Sequence, residues 1–270
     1  MLAHQRLGDP SAARLVVLLH GILGRGQNWR SFAQALVRER PAWGAVLVDL
    51  RAHGGSRDVP PPDDLDRAAA DVAELVDRLD RPAPAVLGHS FGGKVALAYA
   101  ATRPVEALFV VDALPGARPD RRGSEGTMAV LDTLDALPAT FPTRQAFVEH
   151  IVARGHREVL GRWLAMNLDP ANGAGYRFGL DVGRVRRLLD DYFTRDLWST
   201  LPPSTGHADL VIAGLSTVFG ADERAAADRH AAASGGRLRV HVLEDADHWV
   251  HVDDPEGLLR IVLGGLDGVR

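Results

Sequence analysis

Val86-Leu87-Gly88-His89-Ser90-Phe91-Gly92-Gly93-Lys94 runs from a short apolar segment, through Gly-His-Ser-Phe-Gly, into the helix-prone Val95-Ala96-Leu97-Ala98-Tyr99-Ala100-Ala101. A Gly-x-Ser-x-Gly set between a strand and a helix is the sequence form of a nucleophile elbow. Gly88 and Gly92 permit a sharp turn without a Cβ clash, which lifts the Ser90 hydroxyl above the sheet. The Phe91 amide then lies at a helix N-terminus, where negative charge is stabilised. The bare pentapeptide also occurs as an ordinary Gly-rich turn; its strand-turn-helix surroundings select the nucleophile reading for Ser90.

Outward from this stretch the pattern alternates. Leu15-Val16-Val17-Leu18-Leu19, Ala45-Val46-Leu47-Val48 and Ala107-Leu108-Phe109-Val110-Val111 are continuous apolar runs of buried-strand length, like Ala85-Val86-Leu87 ahead of the elbow. Helical spacing of apolar residues fills the intervals over residues 29–39, capped by Asn28, and 65–79. Strands alternating with amphipathic helices imply an α/β fold: a mostly parallel sheet with helices on both faces. Such sheets bind ligands at the C-terminal ends of their strands. His20, Asp49, Ser90 and Asp112 all fall there.

The alternation stops between Leu114 and His207. Residues 124–136, 143–153, 156–168 and 183–193 read as helices, with no convincing strand among them. We expect a core of residues 1–113 and 207–270, and an inserted helical cap of 114–206 over the site. Met128, Leu131, Leu134, Phe147, Trp163, Leu164, Met166, Phe178 and Trp198 are candidates to line an acyl pocket, or simply to pack the cap. The parallel pattern resumes with Leu210-Val211-Ile212-Ala213 and Leu238-Arg239-Val240-His241-Val242-Leu243. Asp222 is placed to cap a helix reaching Ala233, and Asp254-Pro255 opens a closing helix.

A serine hydroxyl needs a base, and the base needs an acid that fixes its tautomer. In the order serine, acid, histidine, the base comes late. His248, between the last strand and the last helix, is favoured over His251. The loop after Gly214 holds Leu215, Ser216 and Thr217, with no carboxylate before Asp222. Asp112, at the end of the strand after the elbow strand, is therefore favoured over Asp222 as the acid, with Ser216 placed to hydrogen-bond Asp112 or His248. His20-Gly21-Ile22-Leu23-Gly24 supplies the second half of an oxyanion hole, its donors being the amides of Ile22 and Phe91. His20, Asp49 and Arg51 read as braces for loop backbone, and Lys94 as a helix residue with its ammonium in solvent.

Composition narrows the class. The net charge of −4 and pI of about 6.2 give no general reason to expect nucleic acid or an anionic membrane as a partner. The chain has no cysteine, which excludes disulfides and thiolate chemistry. Residues 1–13 lack the apolar core of a signal peptide, and no run reaches membrane-spanning length, so a cytoplasmic enzyme is the expectation. No His/Asp cluster has metal-ligand spacing. We expect no cofactor and no metal, and a monomer or small homo-oligomer.

Taken together, His-Gly-Ile-Leu-Gly at 20–24, Val-Asp-Leu-Arg-Ala-His-Gly-Gly-Ser at 48–56, Gly-His-Ser-Phe-Gly-Gly-Lys at 88–94, Val-Asp at 111–112, Gly-Leu-Ser at 214–216 and Asp-His-Trp-Val-His at 247–251 resemble the α/β-hydrolases, and among them the YbfF-like esterases and their mitochondrial abhydrolase relatives. The resemblance spans nearly the whole core; the cap matches loosely. It implies an esterase with Ser90 as nucleophile, Asp112 as acid, His248 as base and Ser216 as an auxiliary serine. Leu215 stands where that family often has Asn. The resulting expectation is a serine hydrolase acting on small-molecule carboxylic esters or thioesters of short to medium acyl chains. Carbon-carbon bond hydrolysis and cofactor-free haloperoxidase chemistry use a similar triad. A non-catalytic binding protein on the same fold is the alternative from another class.

Overall fold

The computed structural model describes residues 1–80 and 82–269. Its centre is a seven-stranded sheet of β1 (His4–Leu7), β2 (Arg14–Leu19), β3 (Trp43–Val48), β4 (Ala85–His89), β5 (Ala107–Val111), β8 (His207–Ala213) and β9 (Leu238–Leu243), in the order β1-β3-β2-β4-β5-β8-β9. The edge strand β1 pairs antiparallel with β3; every other pairing in this sheet is parallel. The expected strands are all present. β1 was not anticipated, because a four-residue edge strand of His, Gln, Arg and Leu carries no buried apolar run.

The inner strands β2, β3, β4 and β5 carry unbroken apolar runs because both sheet faces are covered there. In β2, Leu15, Val17 and Leu19 enter one core, while Val16 and Leu18 enter the other. The first core is closed by α2 (Leu65–Val76), α3 (Phe91–Ala100) and α8 (Ala221–Ala233), the second by α1 (Arg30–Glu39) and α10 (Pro255–Leu266). Each fully buried Val or Leu contributes roughly 1.5–3 kcal/mol, so this doubly buried strand core dominates the apolar stabilisation.

Helix ends follow local chemistry. Asp64 caps α2 by accepting from the Arg67 amide at 2.7 Å, and Asp254 caps α10 by accepting from Gly257 at 2.8 Å. Two expected caps differ. Asn28 accepts from the Arg25 amide inside a preceding 3-10 turn, and α1 begins without a side-chain cap. Asp222 lies within the first turn of α8, whose cap position is Gly220.

Between β5 and β8 the chain leaves the sheet as α4 (Glu125–Asp135), α5 (Arg144–Ala153), α6 (Glu158–Leu164), the hairpin of β6 (Leu168–Pro170) and β7 (Tyr176–Phe178), and α7 (Val182–Thr194). The hairpin corrects the expectation of helices alone: two three-residue strands are too short to show a period of two. This segment has a core of its own, in which Leu131, Leu134, Phe147, Ile151, Leu164 and Val185 are buried. The short helix α9 (Val250–Asp253) connects the loop after β9 to α10.

Candidate active site

The chain reverses at Ser90 in one residue, with φ 53° and ψ −120°, between β4 and α3. Glycine is required beneath it: a Cβ on Gly88 would lie 2.1 Å from the Gly92 carbonyl oxygen, and one on Gly92 would lie 2.5 Å from the His20 carbonyl oxygen. The Ser90 amide donates to the Val111 carbonyl at 2.9 Å, which fixes the turn to the end of β5.

Asp112 follows β5 directly. It is fully buried and takes φ 42°, its amide donating to Val211 at 2.7 Å. One carboxylate oxygen accepts from the Ala213 amide at 3.2 Å; the other lies 2.7 Å from His248 Nδ1. His248 Nε2 in turn is 3.1 Å from Ser90 Oγ. The structure thus lines up Asp112, His248 and Ser90 by consecutive hydrogen bonds across 136 and 158 residues of sequence. With Nδ1–H held by the carboxylate, Nε2 presents its lone pair to the serine.

Neither competitor joins this run of hydrogen bonds. His251 sits in α9 with its ring 4.8 Å from that of Trp29, and makes no bond to Ser90; burial is the main cause of its fall in pKa to about 4. Asp222 is exposed at the start of α8. The expected contact of Ser216 with the triad is not made. Its hydroxyl accepts from the Val218 amide at 3.2 Å, closing its own turn, and it bonds neither Asp112 nor His248.

The loop of residues 20–24 approaches Ser90 at Gly21, where a Cβ would come within 3.4 Å of Ser90 Cβ and 3.1 Å of His89 Nδ1. The amides of Ile22 and Phe91 donate to no acceptor among the described residues, as an anion site needs. Two buried histidines hold the loop. His20 donates through Nδ1 to the Gly21 carbonyl at 2.8 Å and accepts at Nε2 from the Leu50 amide at 3.0 Å. His53 donates through Nδ1 to Arg51 at 2.8 Å and accepts at Nε2 from the Leu23 amide at 3.0 Å. Burial keeps both neutral, lowering His20 to about 4 and His53 to about 3, so each retains the lone pair its acceptor role requires. Asp49 braces the adjoining loops by accepting from the amides of Gly26 and Gly55, each at 2.8 Å.

Three supporting side chains were not singled out in the sequence. His53 is one. His89, inside the quoted motif, donates through Nε2 to the His248 carbonyl at 2.7 Å and so ties the loop carrying His248 to the turn at Ser90; burial, with His248 and His251 nearby, pushes its pKa well down. Asn167, beyond α6, donates to the Leu23 carbonyl at 2.8 Å. Lys94 corrects an expectation. Its ammonium is buried rather than solvated, donating to the carbonyls of Gly116 at 2.9 Å and Tyr192 at 2.7 Å, and burial lowers its pKa to about 7.

A cavity of about 460 Å³ opens at Ser90 and His248, walled by Ile22, Trp29, Val130, Leu160, Trp163 and Trp249. Of the apolar residues expected to line it, Trp163 does. Leu131, Leu134, Phe147 and Leu164 pack the interior of the 114–206 segment, and Trp198 stacks on His230. Among the described residues no group of three or more His, Cys, Asp and Glu is placed to hold a metal ion, and no helix is long and apolar enough to cross a membrane.

The comparisons agree with this architecture. The chain is 26% identical over 266 residues to the mouse sn-1-specific diacylglycerol lipase ABHD11, covering 97% of this chain and 83% of that protein. It is 28% identical over 253 residues to Escherichia coli esterase YbfF, covering 92% and 91%. Both are relatives of the kind the motifs resemble. Among solved structures, a marine microorganism esterase superposes with a TM-score of 0.79 at 20% identity, covering 98% of each chain. Residues 16–261 match the family described as the alpha/beta hydrolase family, and this chain belongs to it.

Proposed function

We propose that the protein is a serine hydrolase that cleaves carboxylic esters through an acyl-enzyme. The observation that carries this reading is the run of hydrogen bonds from Asp112 through His248 to Ser90, beside two amides that have no acceptor among the described residues. Ser90 Oγ attacks the ester carbonyl as His248 Nε2 takes its proton, and Asp112 stabilises the imidazolium. The amides of Ile22 and Phe91 bind the tetrahedral oxyanion, a contribution of roughly 3 kcal/mol for each donor. His248 then protonates the departing alkoxide, and water, activated by the same base, releases the acid. Ser216 has no step of its own, since its hydroxyl serves Val218.

We read residues 114–206 as a cap, because α4 and α6 supply one wall of the cavity while the strand ends supply the floor. A volume of about 460 Å³ lies in the lower half of the range of about 300–1,000 Å³ for small-molecule sites, which favours short to medium acyl groups.

Hydrolysis of p-nitrophenyl acetate and butyrate tests the reading, with a fluorophosphonate label located by mass spectrometry. The wild type is expected to turn over and to be labelled on Ser90, and Ser90→Ala to lose both. Asp112→Asn should lower kcat by about 10³–10⁴-fold by stranding His248 in the wrong tautomer, while Asp222→Asn stays near wild type. A folded, inert and unlabelled wild type would replace this reading with a ligand-binding one.

A further inference from the structure

Leu23 is buried, is not glycine, and adopts φ 63° in the middle of the loop that faces Ser90. A left-handed conformation at a leucine persists only where its surroundings over-determine it. Both of its polar backbone atoms are gripped by side chains. The amide donates to His53 Nε2 at 3.0 Å and the carbonyl accepts from Asn167 Nδ2 at 2.8 Å. His53 belongs to the loop after β3; Asn167 belongs to the 114–206 segment, 144 residues away from Leu23.

Asn167 is itself held without freedom. It is 1% exposed, and its main-chain carbonyl accepts from the Gly179 amide at 2.8 Å. Its Oδ1 accepts from Arg25 Nε at 3.0 Å, so the amide can turn only one way: oxygen to the guanidinium, NH₂ to the Leu23 carbonyl. With both peptide planes around Leu23 pinned and Gly24 closing a turn onto the Gly21 carbonyl at 3.0 Å, the Ile22 amide one residue upstream keeps its aim.

We propose that Asn167 is a positioning residue for the oxyanion hole: the 114–206 segment, through this one side chain, sets the loop that carries the Ile22 donor. The hole is complete only when that segment is docked. This rests on the serine-hydrolase reading above.

Asn167→Asp is the discriminating variant, because it preserves the shape and the Arg25 bond but faces the Leu23 carbonyl with a carboxylate that has no hydrogen to donate. For p-nitrophenyl butyrate we expect kcat to fall about 10–100-fold with KM changed less than about threefold, the size of effect that misplacing a donor by a fraction of an ångström produces. Inhibition by phenylboronic acid, whose adduct on Ser90 is tetrahedral and anionic, should weaken by the same factor as kcat. Amide hydrogen exchange over residues 21–24 should quicken. Unchanged kcat and boronate inhibition, or a loss confined to melting temperature, overturns the proposal. Should Asn167→Asp fail to fold, Arg25→Met removes the bond that orients the amide; it should lower kcat and boronate affinity together by a smaller factor, and a flat result overturns the proposal equally. A wild type that neither hydrolyses esters nor binds the boronate overturns the serine-hydrolase reading and the catalytic content of this one. Loop exchange in Asn167→Asp that stays at the wild-type rate overturns the clamp itself.

Discussion

His20 and His53 accept hydrogen bonds from backbone amides, and acid removes that capacity. Each is fully buried with its pKa lowered, His20 to about 4, below the ~6.5 of an unfolded histidine. Between those values the unfolded chain binds the proton and the native one does not, so stability rises with pH. The stabilising difference is complete above pH ~6.5 and is lost progressively down to about 4, on the order of 3 kcal/mol for His20 alone. Urea unfolding at pH 7, 6 and 5 should show this slope; His20→Gln should be less stable at pH 7 but lose less on acidification, and an unaltered slope would remove His20 from the account. At this scale the sequence was legible where chemistry is local. Ser90 lies inside its own motif, Asp112 directly follows an apolar run that announces a strand end, and His248 stands in the loop between the last strand and the last helices. His53 and Asn167 left no such trace, because their partners lie 30 and 144 residues away and a lone His or Asn has many quieter uses. Ser216 shows the converse: a bond to Asp112 or His248 was expected of it, and its hydroxyl accepts from the nearer Val218 amide instead.

The element on which the site turns is α3, a helix buried along its whole length. Its first turn touches the end of β2, with Gly92 against the carbonyls of Leu19 and His20. Gly92→Ala would therefore have to move backbone rather than a flexible side chain, at about 3 kcal/mol, near the upper end for overpacking. Denaturant unfolding and esterase assay should report a destabilised protein with an activity loss larger than its unfolded fraction explains; wild-type behaviour in both would mean the contact relaxes freely. Elements were readable in proportion to their apolar content. β2, β4 and β5, buried on both faces, stand out as unbroken runs, whereas the polar edge strand β1 and the short β6–β7 hairpin do not. The 114–206 segment was recognisable as a largely helical interruption of the alternation, but which of its apolar residues look inward and which line the cavity depends on helix orientations that spacing alone leaves open.

Over the whole molecule, the seam between the sheet core and the 114–206 segment is sewn with charge. The Asp63 carboxylate, with no exposed side-chain surface, accepts from Arg184 at 2.6 Å and Arg187 at 3.1 Å. Burial alone would raise its pKa, but these two guanidinium groups outweigh that and hold it below the usual range. Arg57 pairs with Asp169, Arg195 with Asp66, and Asp191 accepts from the Leu65 amide at 2.8 Å. The exposed pair Arg195–Asp66 contributes at most about 1 kcal/mol, whereas removing a guanidinium from the buried Asp63 would strand an uncompensated charge and cost more. On the same seam lies Lys94, with its Nζ 4.5 Å from the Tyr192 ring centroid. It is the only lysine in the chain, every other basic side chain apart from histidine being arginine. An acetylating N-hydroxysuccinimide ester therefore meets no lysine amine on the closed surface, and acetylation at residue 94 should proceed far more slowly than for a free lysine under the same conditions, gaining speed in low urea before global unfolding. Peptide mass mapping over time would read that rate, and labelling as fast as for the free amino acid would show the seam to be open. The chain thus carries, in a single buried amine, its own chemical clock for how often the 114–206 segment exposes the side chain beneath it.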